Sequence, residues 1–88
     1  MPKRYRLEIL HKAEKELDDV PDRFFSKIDK HIQSLASDPR PFGVQKLDKE
    51  LHRIRVGDFR IIYAILEKGA KIVILRVARR SEKTYKNI

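Results

Sequence analysis

The residues best suited to chemistry are the arginines of segment 51–63, which reads Leu-His-Arg-Ile-Arg-Val-Gly-Asp-Phe-Arg-Ile-Ile-Tyr. Two runs rich in β-branched and aromatic residues flank the dipeptide Gly57-Asp58. A glycine at the first central position of a two-residue turn predicts a type II′ β-hairpin. In that hairpin Arg55 lies directly opposite Arg60, so the turn brings two guanidinium groups together.

Alternate residues of a strand share a face, so the same hairpin places Arg53, Arg55 and Arg60 on one side of the sheet. Like charges directly opposite one another destabilise a strand pair, and a bound anion such as a phosphate would relieve the repulsion. Arginine suits phosphate because its planar guanidinium donates two hydrogen bonds at once and stays charged. A ring of arginines around one phosphate would also stabilise the extra negative charge of a phosphoryl transition state.

The distribution of charge favours a polyanionic partner as well. The chain has 88 residues and a formal net charge of +8. Residues 1–43 carry 9 lysines and arginines against 8 acidic residues, whereas residues 44–88 carry 12 against 5. The basic excess therefore belongs to the second half of the chain, where it favours nucleic acid or an acidic protein segment.

Several other classes of protein are disfavoured. The length predicts a single domain over residues 1–88. The chain has no cysteine, and His11, His31 and His52 lack the spacing of metal ligands, so we expect neither a metal nor another cofactor. No apolar run approaches the ~18 residues that span a bilayer. The N-terminus is polar and basic, unlike a signal peptide, and we expect a cytoplasmic protein without a membrane partner.

The elements that must position the arginines follow an α+β pattern. Alternating apolar residues predict a strand at the N-terminus, helical spacing predicts two helices, and β-rich runs predict three further strands. In chain order these elements cover Tyr5–Leu10, His11–Val20, Pro21–Ser37, Leu51–Val56, Phe59–Leu66 and Lys71–Ala78. We expect a small α+β domain in which an αα-hairpin packs on one face of a four-stranded sheet. Its last three strands form an antiparallel meander.

The connection Glu67–Ala70 decides which arginine of the last strand joins the others. A four-residue loop pairs Arg60 with Val77 and puts Arg79 on the face of Arg60. A five-residue loop presents Arg80 instead, because a slip of one residue turns every side chain to the other face.

Other residues could support the same site. The connection 39–49 is predicted to lack secondary structure, and its Lys46 and Lys49 could face the ligand of the arginines. In the four-residue register Arg76 falls on the helix face, where its long stem would reach towards solvent. Tyr85 in the tail could fold back across the sheet, to stack on a base or to supply a hydroxyl near a ribose.

Most of the chain resembles the RelE/ParE superfamily of toxin–antitoxin toxins. The similarity lies in the strand–two-helix–three-strand order and in the block Arg-x-Arg-x-Gly-Asp-Phe-Arg-x-x-Tyr of residues 53–63. It extends to the closing segment Ile-Leu-Arg-Val-Ala-Arg-Arg of residues 74–80, followed by Tyr85. The resemblance implies the RelE-like fold, with helices on a twisted, mainly antiparallel sheet.

For the RelE branch, the resemblance implies a ribosome-dependent endoribonuclease that cuts mRNA without a metal. The ribose 2′-hydroxyl attacks the adjacent phosphate and leaves a cyclic phosphate and a free 5′-hydroxyl. The family's catalytic residues map onto Arg53, Arg55, Arg60, Arg79 or Arg80, and Tyr85. Residues expected to bind RNA or the ribosome are Lys46, Lys49, Arg76 and Lys83.

The resemblance also implies partners: a RelB-like antitoxin in a heteromeric toxin–antitoxin complex, and the ribosome with its mRNA. One departure affects the mechanism, since some RelE toxins have lysines where this chain has Arg53 and Arg55. Arginine does not readily act as a general base, so the 2′-hydroxyl is activated by positioning and charge alone, or with help from Tyr85, Lys46 or Lys49. Two alternatives are a ParE-type toxin that inhibits DNA gyrase and a nucleic-acid-binding domain without catalysis.

Overall fold

The computed structural model describes residues 4–79, which form a five-stranded sheet and two helices. The elements are β1 (Arg6–Ile9), α1 (His11–Asp18), α2 (Asp22–Ser34), β2 (Gln45–Lys46), β3 (Leu51–Val56), β4 (Phe59–Leu66) and β5 (Lys71–Arg79). The strands lie in the order β1-β5-β4-β3-β2, with β1 parallel to β5 and all other neighbours antiparallel. The predicted α+β class and meander are confirmed. The sheet has five strands rather than four, because β2 adds an outer edge.

The core lies between the two helices and one face of the sheet. Ala13 and Leu17 of α1 are four residues apart and buried, as are Ile28 and Ile32 of α2. That spacing gives each helix a single apolar side. Every second residue of β4, from Phe59 to Ile65, is buried and belongs to the same cluster. The alternate residues of β4 are only partly buried, so the described part of the chain leaves the other face of the sheet open.

Helix α2 ends three residues earlier than the sequence predicted. The amide of Leu35 bonds to the carbonyl of Ile32, and that of Ser37 bonds to Ser34, which is the tighter i to i+3 pattern. The Ser34 hydroxyl also donates to the carbonyl of His31 at 2.8 Å. Serine side chains that bond to nearby backbone compete with the helix.

No helix within residues 4–79 is long and apolar enough to cross a membrane.

The β3–β4 hairpin has the predicted register, with Arg55 opposite Arg60. Gly57 has a φ of 61°, whereas Asp58 is not among the residues of positive φ. Positive φ at the first central residue alone is the mark of the type II′ turn. The turn therefore fixes which residues of the two strands face each other.

The β4–β5 pair starts in the predicted register and then departs from it. The four-residue loop pairs Leu66 with Lys71, as expected. Further along, Tyr63 pairs with Ile74 but Ile62 pairs with Arg76, so one residue of β5 is extra. This β-bulge reverses the side on which later residues of β5 lie.

Tyr63 fastens the long connection after α2 to the centre of the sheet. Its ring is fully buried and its hydroxyl donates a hydrogen bond of 2.7 Å to the carbonyl of Pro39. Burial raises the pKa of Tyr63 to about 12, so the phenol stays neutral and keeps this donor. His52 is buried beside it, with the two ring centres 5.8 Å apart. His52 pairs with Tyr63, a member of the core cluster, and therefore lies on the helix side of the sheet.

Replacing Gly57 with alanine tests the turn. A side chain at this positive φ is strained, and we expect a loss of about 1–2 kcal/mol in the free energy of unfolding. For a domain of this size each kcal/mol lowers the melting temperature by about 4–8 °C. Thermal unfolding followed by circular dichroism measures it.

The control is Asp58→Ala, which alters the other central residue of the same turn without a positive φ. It should change the melting temperature much less. Equal losses in the two variants would contradict the type II′ assignment.

Candidate anion-binding face

Three arginines share the open side of the sheet. We call this side, defined by Arg53, Arg55 and Arg60, the arginine face. Arg55 pairs with Arg60 across the hairpin, and Arg53 pairs with Ile62, two residues further along each strand. Paired residues of an antiparallel ladder project to the same side, so the predicted grouping is confirmed.

Each of the three guanidinium groups has a different environment. Arg53 donates through Nη2 to the side-chain oxygen of Gln45 on β2. Arg55 is exposed, whereas Arg60 is half-buried, with its Nε and Nη1 atoms shielded from solvent. Within residues 4–79, no carboxylate lies close enough to Arg53 or Arg55 to form an ion pair. Within this part of the chain, these two charges are therefore available to an external anion.

Beside these charges lies an apolar depression of about 510 Å³, which we call the open groove. Most of the surface that lines it is apolar, so an apolar ligand would be favoured there. The groove is lined by Leu47, Leu51, Arg53, Arg60, Ile62, Leu75, Arg76 and Ala78. A ligand that fits it would combine an apolar stripe with negative charge at the edge.

Because of the bulge, two arginines on β5 lie on the side opposite to the one predicted. Ala78 pairs with Arg60, where Val77 was predicted. Arg79 consequently pairs with Phe59 on the helix side, and its guanidinium lies 5.5 Å from the Phe59 ring centre. The prediction that Arg79 shares the face of Arg60 is wrong.

Arg76 is the second of these arginines, and it lies on the open side of the sheet. It was predicted on the helix face, but it pairs with Ile62 and lines the open groove. Its guanidinium binds the carboxylate of Glu16 on α1 at 2.8 Å. Its positive charge is thus balanced within the chain, which makes it a weaker candidate for RNA contact than Arg55.

The structure separates Lys46 of the connection from the arginines. Lys46 pairs with His52 and so belongs to the opposite side from Arg53. Lys49 lies in the turn between β2 and β3 and is exposed. The expectation that Lys46 faces the ligand of the arginines is wrong in this register. The remaining predicted site residues, Arg80, Lys83 and Tyr85, lie outside the described residues.

Sequence reasoning missed Gln45, the residue that orients Arg53. Gln45 pairs with Arg53 across β2 and β3, and so their side chains meet on the same side. The segment Val-Gln-Lys-Leu of residues 44–47 does not alternate between apolar and polar residues, so no pattern in the sequence separates this short strand from a loop.

Fold and face together define the class of the protein: a small, basic α+β domain with a cluster of guanidinium groups on one side of its sheet. Arginine forks bind phosphate oxygens in pairs. Two like charges held opposite each other by the backbone are ready for an anion, because no movement of the strands is needed to bring them together. The face is therefore preorganised for a phosphate group.

Comparison with known proteins gives the class its family. The family model of the ParE toxin of the type II toxin–antitoxin system parDE matches residues 7–84. A protein of Methanocaldococcus jannaschii with the provisional name toxin RelE1 is 33% identical over 89 residues, which span 96% of this chain and 98% of that protein.

Solved structures of RelE toxins have the same fold as this chain. The archaeal RelE–RelB complex of Pyrococcus horikoshii contains a chain with 30% identity and a TM-score of 0.81, covering 93% of this chain and 99% of that one. The isolated E. coli RelE toxin has the same fold at 15% identity, with a TM-score of 0.77 and coverage of 94% and 93%. The chain belongs to the ParE toxin family of type II toxin–antitoxin systems, within the RelE/ParE superfamily.

Replacing Arg55 with glutamine should stabilise the free protein. The change removes the repulsion with Arg60 while keeping most of the side-chain stem. We expect a gain of about 0.2–1 kcal/mol at low ionic strength, shrinking as salt screens the charges. Urea unfolding at 20 mM and 500 mM salt measures it.

Lys12→Gln is the matched control, since it removes one exposed positive charge on α1, away from the sheet. It should show little gain at either ionic strength. A glutamine at residue 55 that destabilises the protein equally at both salt concentrations would contradict the proposed repulsion.

Proposed function

We propose that this toxin cleaves mRNA on the ribosome, without a metal, through attack of a ribose 2′-hydroxyl on the adjacent phosphate. The proposal is carried by one observation: the cross-strand pair Arg55–Arg60, with Arg53 beside it, on a side of the sheet left open by residues 4–79. The 33% identity to a RelE-type toxin supports the same reading.

The arginines stabilise the negative charge that develops on the phosphate during the reaction. As the 2′-oxygen bonds to phosphorus, negative charge builds on the non-bridging oxygens, and Arg55 and Arg60 hydrogen-bond to them. Groups fixed in advance are effective, because little reorganisation is needed as the charge develops. Arg53, held by Gln45, fixes the position of the scissile phosphate or its neighbour. The bond to the 5′-oxygen then breaks, giving a cyclic phosphate and a free 5′-hydroxyl.

The 2′-hydroxyl is activated either by positioning and charge alone or with help from a residue other than arginine. The guanidinium holds its proton at physiological pH and cannot accept another. Lys46 lies on the opposite side of the sheet, which leaves Tyr85 and Lys49 as the better candidates for contact with the 2′-hydroxyl. Cleavage should therefore be slow, except where the ribosome holds the mRNA in the reactive geometry.

A cognate antitoxin is the proposed partner that restrains the toxin. The toxin in the Pyrococcus horikoshii structure is in complex with RelB. The open groove would bind an apolar stripe of the antitoxin, and the arginine face would bind its carboxylates. One segment would then cover both the exposed apolar surface and the site.

A second candidate is inhibition of DNA gyrase by protein contact. The observation in its favour is the family model, whose description is that of the ParE toxin. The crowded arginine face favours RNA cleavage, because protein contact alone does not require two opposed guanidinium groups.

Substitution of Arg60 tests the cleavage mechanism. We expect Arg60→Ala, alone and together with Arg80→Ala, to lower ribosome-dependent cleavage at least about 100-fold, as for loss of a fixed oxyanion donor. Mapping of mRNA 3′ ends in a translation reaction measures the rate, and circular dichroism checks the fold.

Arg23→Ala is the control, because Arg23 is an exposed arginine on α2, outside the arginine face. It should cleave like the unaltered chain. A double variant that still cuts mRNA would refute the site. Nicked or relaxed DNA with intact mRNA, after induction of the unaltered chain, would identify the gyrase alternative.

The antitoxin site is tested at Ile62, which lies half-buried in the open groove. Ile62→Thr keeps the β-branch but makes the groove floor polar, so we expect the Kd for the antitoxin to rise about tenfold. Isothermal titration with the cognate antitoxin measures it. Leu10→Thr, at an exposed leucine before α1, is the control and should leave the Kd unchanged. Equal affinities for both variants would place the antitoxin elsewhere.

A further inference from the structure

The second half of β5 has no strand on its outer side within residues 4–79. β1 runs beside the first half only, ending with Ile9 opposite Ile74. β5 continues to Arg79. Helix α1 follows β1 directly and packs against β5. A helix therefore lies where a strand would otherwise continue the ladder.

One carboxylate of that helix accepts a backbone hydrogen bond that a neighbouring strand would otherwise accept. Oε1 of Glu16 accepts the backbone N–H of Val77 at 2.8 Å. The same group accepts Nε of Arg76 at 3.1 Å on both oxygens, and Nη2 at 2.8 Å on Oε2. The side chains of Glu16 and Arg76 are only 20% and 16% exposed. Hydrogen bonds between charged groups are stronger than neutral ones, and partial burial limits their screening by salt.

These contacts fall on the two residues that follow the extra residue of the bulge. Leu75 is the residue of β5 that lies between the partner of Tyr63 and the partner of Ile62. Without the bulge, the register set by the four-residue loop would continue and Val77 would oppose Arg60. Arg79 would then share the arginine face. The bulge thus determines which side chains of β5 reach that face.

We infer that Glu16 is a positioning residue that holds the bulge at Leu75 and so keeps Arg79 on the helix side of the sheet. It accepts the backbone N–H of Val77, at the edge of β5 that β1 does not cover. It also turns the guanidinium of Arg76 towards α1. The inference concerns the geometry of the arginine face. It rests on the proposed function only for its effect on RNA cleavage.

The test is NMR on the full-length protein with Glu16→Ala. We expect the amide of Val77 to exchange about tenfold faster, measured relative to the core amide of Ile61, because one charge-assisted hydrogen bond is lost. We also expect the backbone contact between Arg60 and Ala78 to weaken and one between Arg60 and Val77 to appear. A residue that only stabilised the fold would leave this pattern of contacts unchanged.

Glu14→Ala is the matched control, since Glu14 lies on the same helix and is exposed, and its one ion-pair contact within residues 4–79 is with His11 at 3.9 Å. It should leave both measurements unchanged. Glu16→Gln retains an oxygen that can accept the Val77 N–H, and it should preserve the register. If the alanine variant does not fold, the comparison is Glu16→Gln against Glu16→Asp. The aspartate is one methylene too short and should lose the protection.

The inference is overturned if the Arg60–Ala78 contact persists in Glu16→Ala, or in Glu16→Asp where the alanine variant does not fold, whether or not Val77 exchange becomes faster. Both measurements report the backbone and need no RNA. A chain that cleaves no mRNA would therefore refute the proposed function and leave this test intact.

Discussion

The site depends on one constraint: the two-residue turn at Gly57 sets Arg55 directly opposite Arg60. The backbone hydrogen bonds of the hairpin hold two positive charges close together on the open side of the sheet. Stability alone disfavours that arrangement. The apolar residues of the same strands, buried against the helices, supply the stabilisation that offsets the repulsion. An anion would then bind two guanidinium groups that the fold already holds side by side.

The rest of the molecule supports this hairpin from three sides. Tyr63, at the centre of β4, bonds to the connection after α2 and holds it against the sheet. Gln45 extends the sheet by one short strand and orients Arg53. At the other end of β4 from the Gly57 turn, Glu67 accepts hydrogen bonds from both Tyr5 and Arg40, which joins the β4–β5 loop to the residues before β1 and to the long connection. Distant segments are thereby fixed relative to the arginine face.

Under the proposed function, RNA and the antitoxin would bind the same side of the sheet, which the two helices do not cover. Within residues 4–79, α1 and α2 cover the helix side of the sheet, whereas the arginine face and the open groove are accessible to a ligand. RNA phosphate and an antitoxin carboxylate would use the same guanidinium groups. An antitoxin would add the apolar contacts of the groove, so that it could compete with RNA for the site.

Local pattern in the sequence determined the element order, the II′ hairpin and the grouping of Arg53, Arg55 and Arg60, because strand alternation and turn chemistry act between near neighbours. Only the tertiary structure decided where the arginines of β5 lie. The bulge at Leu75 breaks the alternation, and the Glu16 carboxylate that meets it comes from about sixty residues away. The same holds for β2, whose two residues form a strand only because β3 offers them an edge. Contacts between distant segments override the local pattern at these places, and no reading of neighbouring residues could have revealed them.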